Sequence, residues 1–324
     1  MKKQFDLSAA ALHILAMAFM LLDHLWATLF LSQEWMTCVG RLAFPIFAFM
    51  AVEGYFHTHD LKKYTLRLLL FALLSEVPFD LMYGGTWFYP VHQNVIWTLL
   101  IGLLGIHLME KVRQKGKAWC YVLTCVGVTV LGAILGTVGM VDYYGAGVLT
   151  VFVFYFFRGR AWWKLLGQIV ALYWINVQML GGQLYPVSLF GVEFELCQQG
   201  LALLALVPIW LYRGRQGYHS RPFQYACYAF YPVHMLVLAL LAGCGKENKP
   251  QEEQYMFLPT YHELKDENGN PFANGINSMT VCGDRAYFYT YINYDNSAVT
   301  YDTPATEEEP ANCASLCIRP MVSV

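Results

Sequence analysis

The chain has 324 residues, of which 57% are hydrophobic and only 14% are charged, and its net charge is −2. Soluble globular domains carry roughly a quarter charged residues, so the composition excludes an ordinary soluble protein, and the net charge gives no indication of a nucleic-acid partner. The sequence therefore predicts an integral membrane protein whose first partner is the lipid bilayer.

Nine apolar runs follow one another along the chain, most of them close to the roughly 20 residues that cross a bilayer as a helix. The sixth and eighth runs are short, and only a turn around Asp142 separates the fifth from the sixth. The predicted fold class is an all-α polytopic membrane protein with about nine transmembrane helices. The predicted spans are 7–31, 36–57, 64–83, 93–110, 118–141, 143–157, 162–182, 197–212 and 223–243.

Basic residues occur in alternate loops. The N-terminal segment has Lys2 and Lys3, and the second, fourth, sixth and eighth loops carry two to four Lys or Arg each, whereas the odd-numbered loops carry none. The positive-inside rule then places the N-terminus and the even loops in the cytoplasm. With nine spans, the C-terminal tail lies outside, which predicts a multi-pass protein of the cytoplasmic (inner) membrane.

Ionisable residues interrupt the first two spans. At about 1.5 Å of rise per residue, Asp23 and His24 lie roughly 10 Å inside the outer end of the first span, and Arg41 lies about as deep in the second. A charge at that depth costs several kcal/mol and is usually functional or paired. Because neighbours on a helix do not face each other, we expect Asp23 to hold Arg41. Glu76 or Asp80, on another helix, would then orient His24 as a base.

Other spans contribute polar residues to the same outer layer. Glu76 and Asp80 share one face of the third span, so either one is protonated or a cation, for which Arg41 is the candidate, lies between them. Pro78 predicts a kink there, and His234 lies at a comparable depth in the last span. The fourth span opens from outside with His92, Gln93 and Asn94. Together these residues predict a cavity open to the outer side, although Arg41, His92 and Asn94, taken singly, also fit an interfacial location.

A smaller polar set lies towards the cytoplasmic side. Glu53 and Arg67 are each about four residues from the inner ends of adjacent spans, so their matched depth predicts an ion pair. His13 and His107 lie alone on their spans and are expected to be hydrogen-bonded packing residues.

These polar residues occur in stretches that resemble the TraX family of polytopic membrane proteins, which are similar in style to membrane acyltransferases. The positions that match the family pattern are Asp23, His24, Arg41, Pro45, Glu53, Arg67, Glu76, Asp80, Gln93, Asn94, Tyr231 and His234. The resembling stretches are MLLDH (20–24), RLAFPIFAFMAVEGYFHT (41–58), YTLRLLLFALLSEVPFDLMY (64–83), QNVIWTLLIGLL (93–104), YYGAGVLTVFVFYFFR (143–158) and FYPVHMLVL (230–238).

The TraX family takes its name from a protein that acetylates the N-terminal amine of pilin in a conjugation system. The resemblance implies acetyl or acyl transfer from acetyl-CoA to an amine or hydroxyl of a membrane-exposed acceptor, such as a pilin-like peptide or an envelope glycan. The expected catalytic residues are His24, Asp23, Glu76, Asp80, Arg41 and His234. The expected substrate-binding residues are Asn94, Gln93, His92, Tyr231, Glu53 and Arg67.

Elementary chemistry agrees with this expectation. A histidine is the usual general base near neutral pH, and Arg41 or Asn94 could stabilise the oxyanion of acyl transfer. A proton-coupled transporter is the alternative, because Asp, Glu and His in one layer also form proton relays; the lack of an internal repeat argues against it. A non-catalytic scaffold of a pilus or secretion system is the third hypothesis. No metal-binding motif is found.

The resemblance ends near residue 243, which divides the chain into a TraX-like transmembrane acyltransferase domain (1–243) and an extracytoplasmic tail (244–324). LAGC at 241–244 has the form of a lipobox, although small residues before a Cys at a helix end also occur by chance. The segment 279–293 alternates as strands do, and 303–312 is of low complexity and predicted to be disordered. Cys282, Cys313 and Cys317 could form one disulfide on the oxidising side.

Overall fold

The computed structural model describes residues 6–189, 192–246, 278–282, 285–289 and 314–317. The chain divides into two compact units, Met1–Pro250 and Gln251–Val324. The larger unit is helical. Its α-helices are α1 (Ala9–Thr28), α2 (Glu34–Gly40), α3 (Ala43–His57), α4 (Leu61–Tyr83), α5 (Val95–Arg113), α6 (Ala118–Val138), α7 (Tyr144–Phe156), α8 (Trp162–Tyr173), α9 (Leu206–Leu211) and α10 (Arg221–Lys246).

Each predicted apolar run contains helix, but the runs differ in their capacity to cross a bilayer. In the described part of the chain, five helical segments are long and apolar enough to do so, and they coincide with the first, second, fourth, fifth and ninth runs. They are Ala9–Thr28, Glu34–His57, Val95–Arg113, Ala118–Val138 and Pro222–Gly243. The third run, α4, is long but rich in charge, and the others form shorter helices. The structure thus supports a polytopic membrane protein, while the number of nine spans stays a prediction.

The second predicted span contains a break, because α2 ends at Gly40 and α3 begins at Ala43. Pro45 has no amide hydrogen and falls in the first turn of α3, where an intrahelical donor is not required. The carbonyl group of Arg41 therefore receives no hydrogen bond from position 45. This break places Arg41 between two helices. By contrast, α4 continues through Pro78.

The core of the larger unit surrounds α7. This helix is apolar on every side, the pattern of a fully buried helix, and it contacts α3, α5, α6 and α8. Glycines on the neighbouring helices permit close approach: a Cβ atom added to Gly102 would lie 2.7 Å from Val151, and one added to Gly132 would lie 2.9 Å from Phe152. Small residues at helix–helix contacts are typical of membrane bundles.

The predicted seventh loop is not entirely irregular. A π-helix (Trp174–Leu180) continues α8, and an antiparallel hairpin of β1 (Leu184–Leu189) and β2 (Val192–Cys197) follows it. A 3-10 helix (Gln198–Ala205) then leads into α9. The all-α prediction was therefore wrong at this point, because the alternation in VEFEL, with exposed Glu193 and Glu195, is a strand pattern.

The smaller unit contains a three-stranded antiparallel sheet in the order β3 (Ser278–Cys282), β4 (Arg285–Tyr289) and β5 (Ala314–Cys317). Two of these strands fall within or beside the predicted segment 279–293, whereas β5 was not predicted. The low-complexity segment 303–312, Cys313, Lys2 and Lys3 lie outside the described residues. The helix α10 continues through the lipobox-like positions to Lys246, and cleavage at Cys244 stays a prediction.

Two glycines of α6 provide a test of the packing around α7. A Cβ atom at Gly136 would lie 2.8 Å from the backbone oxygen of Tyr144, whereas one at Gly127 would meet nothing within 4 Å. Alanine is favoured over glycine in a helix by about 1 kcal/mol. We expect Gly127→Ala to maintain or raise the thermal unfolding midpoint of the detergent-solubilised protein, and Gly136→Ala to lower its free energy of unfolding by roughly 1–3 kcal/mol. Equal midpoints for the two variants would contradict this packing.

Candidate active site

A cavity of about 410 Å³ opens among the helix ends on the side of the bundle where α1 finishes. We call it the His24 cavity. Its lining comes from α1, from the break between α2 and α3, from the end of α4, from the loops before α5 and α7, and from α10. Its polar members are Asp23, His24, Arg41, Tyr83, His92, Asp142, Tyr143, Tyr144, Gln198, Gln199 and Tyr231. In the ranges that the structure describes, no three His, Cys, Asp or Glu side chains are arranged to hold a metal ion.

A hydrogen bond joins two histidine rings at the floor of this cavity. The distance from His24 Nδ1 to His234 Nε2 is 2.7 Å, and the distance from His234 Nδ1 to the carbonyl oxygen of Phe230 is 2.6 Å. Because a carbonyl oxygen can only accept, Nδ1 of His234 carries a proton, and Nε2 of the same neutral ring is then an acceptor. His24 therefore donates from Nδ1 to His234.

This order of donors leaves Nε2 of His24 with a free lone pair. Both histidines are buried, with 7% of each residue exposed, and His24 lines the cavity while His234 lies behind it. The rings of Tyr83 and Tyr231 lie 6.0 and 6.5 Å from the His24 ring. Among the described residues, none hydrogen-bonds to Nε2 of His24. An unprotonated, oriented imidazole nitrogen at a cavity wall has the chemistry of a general base.

An ion pair lies beside the histidines, as the sequence predicted. Arg41 Nη2 binds Asp23 Oδ1, and the same guanidinium donates to the hydroxyl of Thr37 at 3.1 Å and to its backbone oxygen at 3.3 Å. Nη1 of Arg41 reaches Gln199 Oε1 at 3.4 Å, and Gln199 in turn donates to Asn176 at 3.1 Å. This chain of contacts fixes the position of the guanidinium at the cavity wall.

The elements that carry this network depart from regular α-helix. Arg41 lies at the break between α2 and α3, Asn176 lies in the π-helix, and Gln199 lies in the 3-10 helix. Insertions of π-helix are frequent at functional sites. A Cβ atom at Gly40 would lie 2.5 Å from Cβ of Asp23, so only glycine permits the close approach of α1 and α2 that brings the ion pair together.

Two loops form the rim of the cavity. They are joined by a backbone bridge between Gln93 and Val141, and His92 Nε2 lies 3.3 Å from Asp142 Oδ1. Tyr143, which follows, has a φ of 62°, a conformation that is uncommon for any residue other than glycine. Strained backbone of this kind concentrates at functional sites, and here it turns the chain between α6 and α7 over the cavity.

The two carboxylates of α4 lie elsewhere in the bundle. Glu76 Oε2 accepts hydrogen bonds from the side chains of Asn94 and Trp97, the latter at 2.9 Å, and Asp80 Oδ2 accepts from the backbone N–H of Tyr89 at 3.0 Å. The other oxygen of each carboxylate is buried without a hydrogen-bond partner among the described residues. Neither residue is part of the cavity lining.

Two expected contacts are therefore corrected. Arg41 does not lie between Glu76 and Asp80, because its guanidinium is already bound to Asp23. The residue that orients His24 is His234, not a carboxylate of α4.

Four of the predicted substrate-binding residues divide into two groups. His92 and Tyr231 line the His24 cavity. Asn94 is buried and caps α5, accepting from the backbone amide two residues later at 3.1 Å. Gln93 donates to a backbone carbonyl three residues earlier at 3.0 Å. Asn94 and Gln93 thus hold the loop that presents His92.

The predicted ion pair between Glu53 and Arg67 is not formed. Glu53 instead binds Arg158, at 2.7 Å from Oε1 to Nε, and the Arg158 guanidinium lies 4.3 Å from the ring centre of Phe56. Arg67 lies over the ring of Tyr228 at 6.0 Å. Equal depths were predicted for the two residues, but Arg67 contacts α10 and not Glu53.

Six polar residues of the cavity were not among the predicted site residues: Tyr83, Asp142, Tyr143, Tyr144, Gln198 and Gln199. A signal existed for three of them. Gln198 and Gln199 are polar residues inside a predicted span, and Asp142 lies in the turn between two spans. The tyrosines gave no signal, because interfacial tyrosines are common at the ends of membrane helices.

Comparison with known proteins extends over the region that contains this site. A family model described as TraX protein matches residues 8–242. The probable fimbrial assembly protein FimC, serogroup H1, of Dichelobacter nodosus is 26% identical over 251 residues, which cover 74% of this chain and 97% of that protein. No solved structure matches the chain significantly. All residues of the His24 cavity lie inside the matched region.

The ion pair gives a test of this geometry. Asp23→Asn removes the counter-charge of Arg41 at nearly constant size, and the two side chains are only 14% and 18% exposed. We expect the free energy of unfolding to fall by roughly 1–3 kcal/mol, the usual cost of an unsatisfied buried polar partner, measured as a lower thermal midpoint in detergent. The matched control is Asp60→Asn, because Asp60 caps α4 at the surface and Asn caps helices equally well. An Asp23→Asn variant as stable as the parent protein would show that the ion pair contributes nothing to the free energy of unfolding.

Proposed function

The chain belongs to the TraX family, and we propose that it is an integral membrane acyltransferase that moves an acetyl group from acetyl-CoA to an amine or hydroxyl. The observation that carries the proposal is the ordered pair of histidines, which leaves a basic nitrogen at the wall of a polar cavity. Acetyl-CoA supplies an acyl thioester, and transfer then requires only proton movement and stabilisation of charge on the carbonyl oxygen.

His24 is the proposed base. Its Nε2 atom takes the proton of the acceptor's amine or hydroxyl as the nucleophile attacks the acyl carbon. The imidazolium that results keeps its Nδ1–H bond to His234, and it returns the proton to the departing thiolate. His234 is a positioning residue, because it fixes the tautomer and the ring orientation of His24 through its own bond to Phe230.

Arg41 is the proposed stabiliser of the carbonyl oxygen. A guanidinium has five N–H donors, and those of Arg41 make four contacts, with Asp23, Gln199 and twice with Thr37. One N–H of Nη1 is left for an oxygen in the cavity. Since the guanidinium is held from three sides, it need not reorganise when charge develops.

The acceptor is proposed from the relative's description. The matched Dichelobacter nodosus protein is described as a probable fimbrial assembly protein, and we propose a pilin-like peptide or another envelope component as the acceptor here. An acceptor of this kind would enter from the rim formed by His92 and Asp142, where the His24 cavity opens.

The proposed topology completes this arrangement. Nine spans, with the N-terminus and the basic loops in the cytoplasm, place the His24 cavity near the outer face of the inner membrane and the C-terminal tail outside. Support comes from the alternation of basic and non-basic loops and from the five long apolar helices.

The two histidines give the decisive test. We expect His24→Gln to lower acetyl transfer at least 10²-fold, the usual contribution of a general base, and His234→Gln to lower it less while shifting its pH dependence. The measurement is transfer of labelled acetyl groups from acetyl-CoA to N-terminal pilin peptides or envelope fractions by the purified protein in liposomes. The matched control is His107→Gln, because His107 lies on α5, contacts Tyr55 of α3 and does not line the His24 cavity.

Each outcome of that experiment separates the hypotheses. Unchanged transfer by His24→Gln would refute the catalytic role of the histidine pair. Absence of transfer by the parent protein, together with proton flux that His24→Gln abolishes, would favour a proton-coupled transporter. Absence of both would favour a scaffold of a pilus or secretion system.

The topology is tested with one cysteine at a time. We expect Ser32→Cys, in the first loop, to react with a membrane-impermeant maleimide in intact cells, and Lys115→Cys, in the basic fourth loop, to react only after the membrane is opened. Both positions are exposed, so a difference in labelling reports the side of the membrane and not burial. The parent protein gives the background, and labelling of both positions from the same side would contradict the proposed orientation.

A further inference from the structure

Three cavities lie in series along one face of α1. The first, which we call the vestibule, has a volume of about 360 Å³ and lies where α1 begins. The second, the chamber, has about 330 Å³, and the third is the His24 cavity. Successive residues of a single stripe on α1, three or four positions apart, line them in turn: Ala10, His13, Met17, Met20, His24 and Ala27.

Neighbouring cavities share their walls. His13, Met50, Tyr64, Arg67, Cys227 and Tyr228 belong to both the vestibule and the chamber. Met20, Phe47, Val95 and Tyr231 belong to both the chamber and the His24 cavity. The three spaces therefore follow one another between α1, α3, α4 and α10, from one end of the bundle to the other.

The lining changes in character along this path. The chamber is mainly apolar, with Met17, Phe71 and Leu99 among its walls. The vestibule is more polar than the chamber and contains Arg67, His57 and His219. No ion pair of Arg67 is found in the described part of the chain, so its positive charge at the entrance to the chamber is available to an anion. The far end holds the reactive nitrogen of His24.

We propose that these cavities form the binding passage of the acyl-CoA donor, an inference that rests on the proposed function. The phosphate-bearing head lies in the vestibule near Arg67, the slender pantetheine arm passes through the chamber, and the thioester reaches His24. A ligand with an anionic head, a long narrow middle and a reactive end matches the order of a polar, an apolar and a reactive compartment. A phospholipid also has an anionic head and a long extension, so the experiment distinguishes acyl-CoA from a phospholipid as the occupant.

Cys227 provides a readout that does not depend on activity, because it lies on the wall shared by the vestibule and the chamber. We expect acetyl-CoA to slow its alkylation by N-ethylmaleimide at least fivefold, measured by mass spectrometry of the purified protein in detergent. Cys120 on α6 is the internal control, since it lines none of the three cavities. Protection by added phospholipid, but not by acetyl-CoA, would assign the passage to a lipid and overturn the proposal.

A pair of variants on α1 tests the route itself. Met17 lines only the chamber, and Ile14, three residues earlier, is 54% exposed and lines none of the three cavities. We expect Met17→Trp to lower acetyl transfer at least tenfold and to leave binding of adenosine 3′,5′-bisphosphate, a mimic of the head, unchanged. Ile14→Trp should change neither quantity, and thermal midpoints establish that both variants fold.

The results of these experiments show whether the proposed donor passage, the proposed acyl transfer, or both are wrong. If the parent protein transfers acetyl groups but Met17→Trp does so equally well, the passage is refuted and the proposed function stands. If acetyl-CoA binds without protecting Cys227, the donor occupies another site, and the passage is again refuted. If labelled acetyl-CoA neither binds nor donates, both proposals fail together.

Discussion

The structure of the larger unit depends on one constraint: polar side chains inside an apolar bundle must find partners within the protein, since lipid offers none. The bond between His24 and His234 meets this requirement across 210 positions of sequence and ties the first long apolar helix to the last. The same bond decides the tautomers of both rings. The demand for a buried partner thus produces an imidazole with a free, oriented nitrogen.

The cavity around that nitrogen is built from interruptions of regular helix. A break after α2, a π-helix, a 3-10 helix and a left-handed turn at Tyr143 all border the same space. Regular helices packed side by side would close it, as they do around α7. Irregular backbone at membrane depth is tolerated where protein or a water-filled cavity satisfies it, and here the side chains of Arg41 and Asn176 donate to the backbone oxygens of Thr37 and Leu172.

The sequence predicted the helices better than the contacts between them. Apolar runs located the helices, including the turn at Asp142, and Asp23, His24 and Arg41, for which similar depths were predicted, line one cavity. Depth follows from counting residues along a helix, whereas partner choice depends on which helix faces which. Equal depths were predicted for Glu53 and Arg67, but they face different neighbours, so their predicted ion pair was wrong. For the same reason His24 pairs with a histidine of α10 and not with a carboxylate of α4. The hairpin at 184–197 was missed because its alternation is short and lies beside glycines.

The position of His24 along α1 limits which acyl donors could reach it. His24 lies 15 residues beyond Ala9 on α1, a distance of about 22 Å at the helical rise. Under the proposed topology, a donor made in the cytoplasm must bridge this distance before its acyl group meets an acceptor at the outer face. A compact acyl donor could not contact Arg67 in the vestibule and His24 at the same time, so it would have to leave the vestibule before it reacts. A donor with a long, slender arm can keep its anionic head beside Arg67 while its reactive end reaches His24. Under the proposed function, the series of cavities therefore gives a physical reason why an acyl thioester of coenzyme A would suit this bundle better than a small soluble acyl donor.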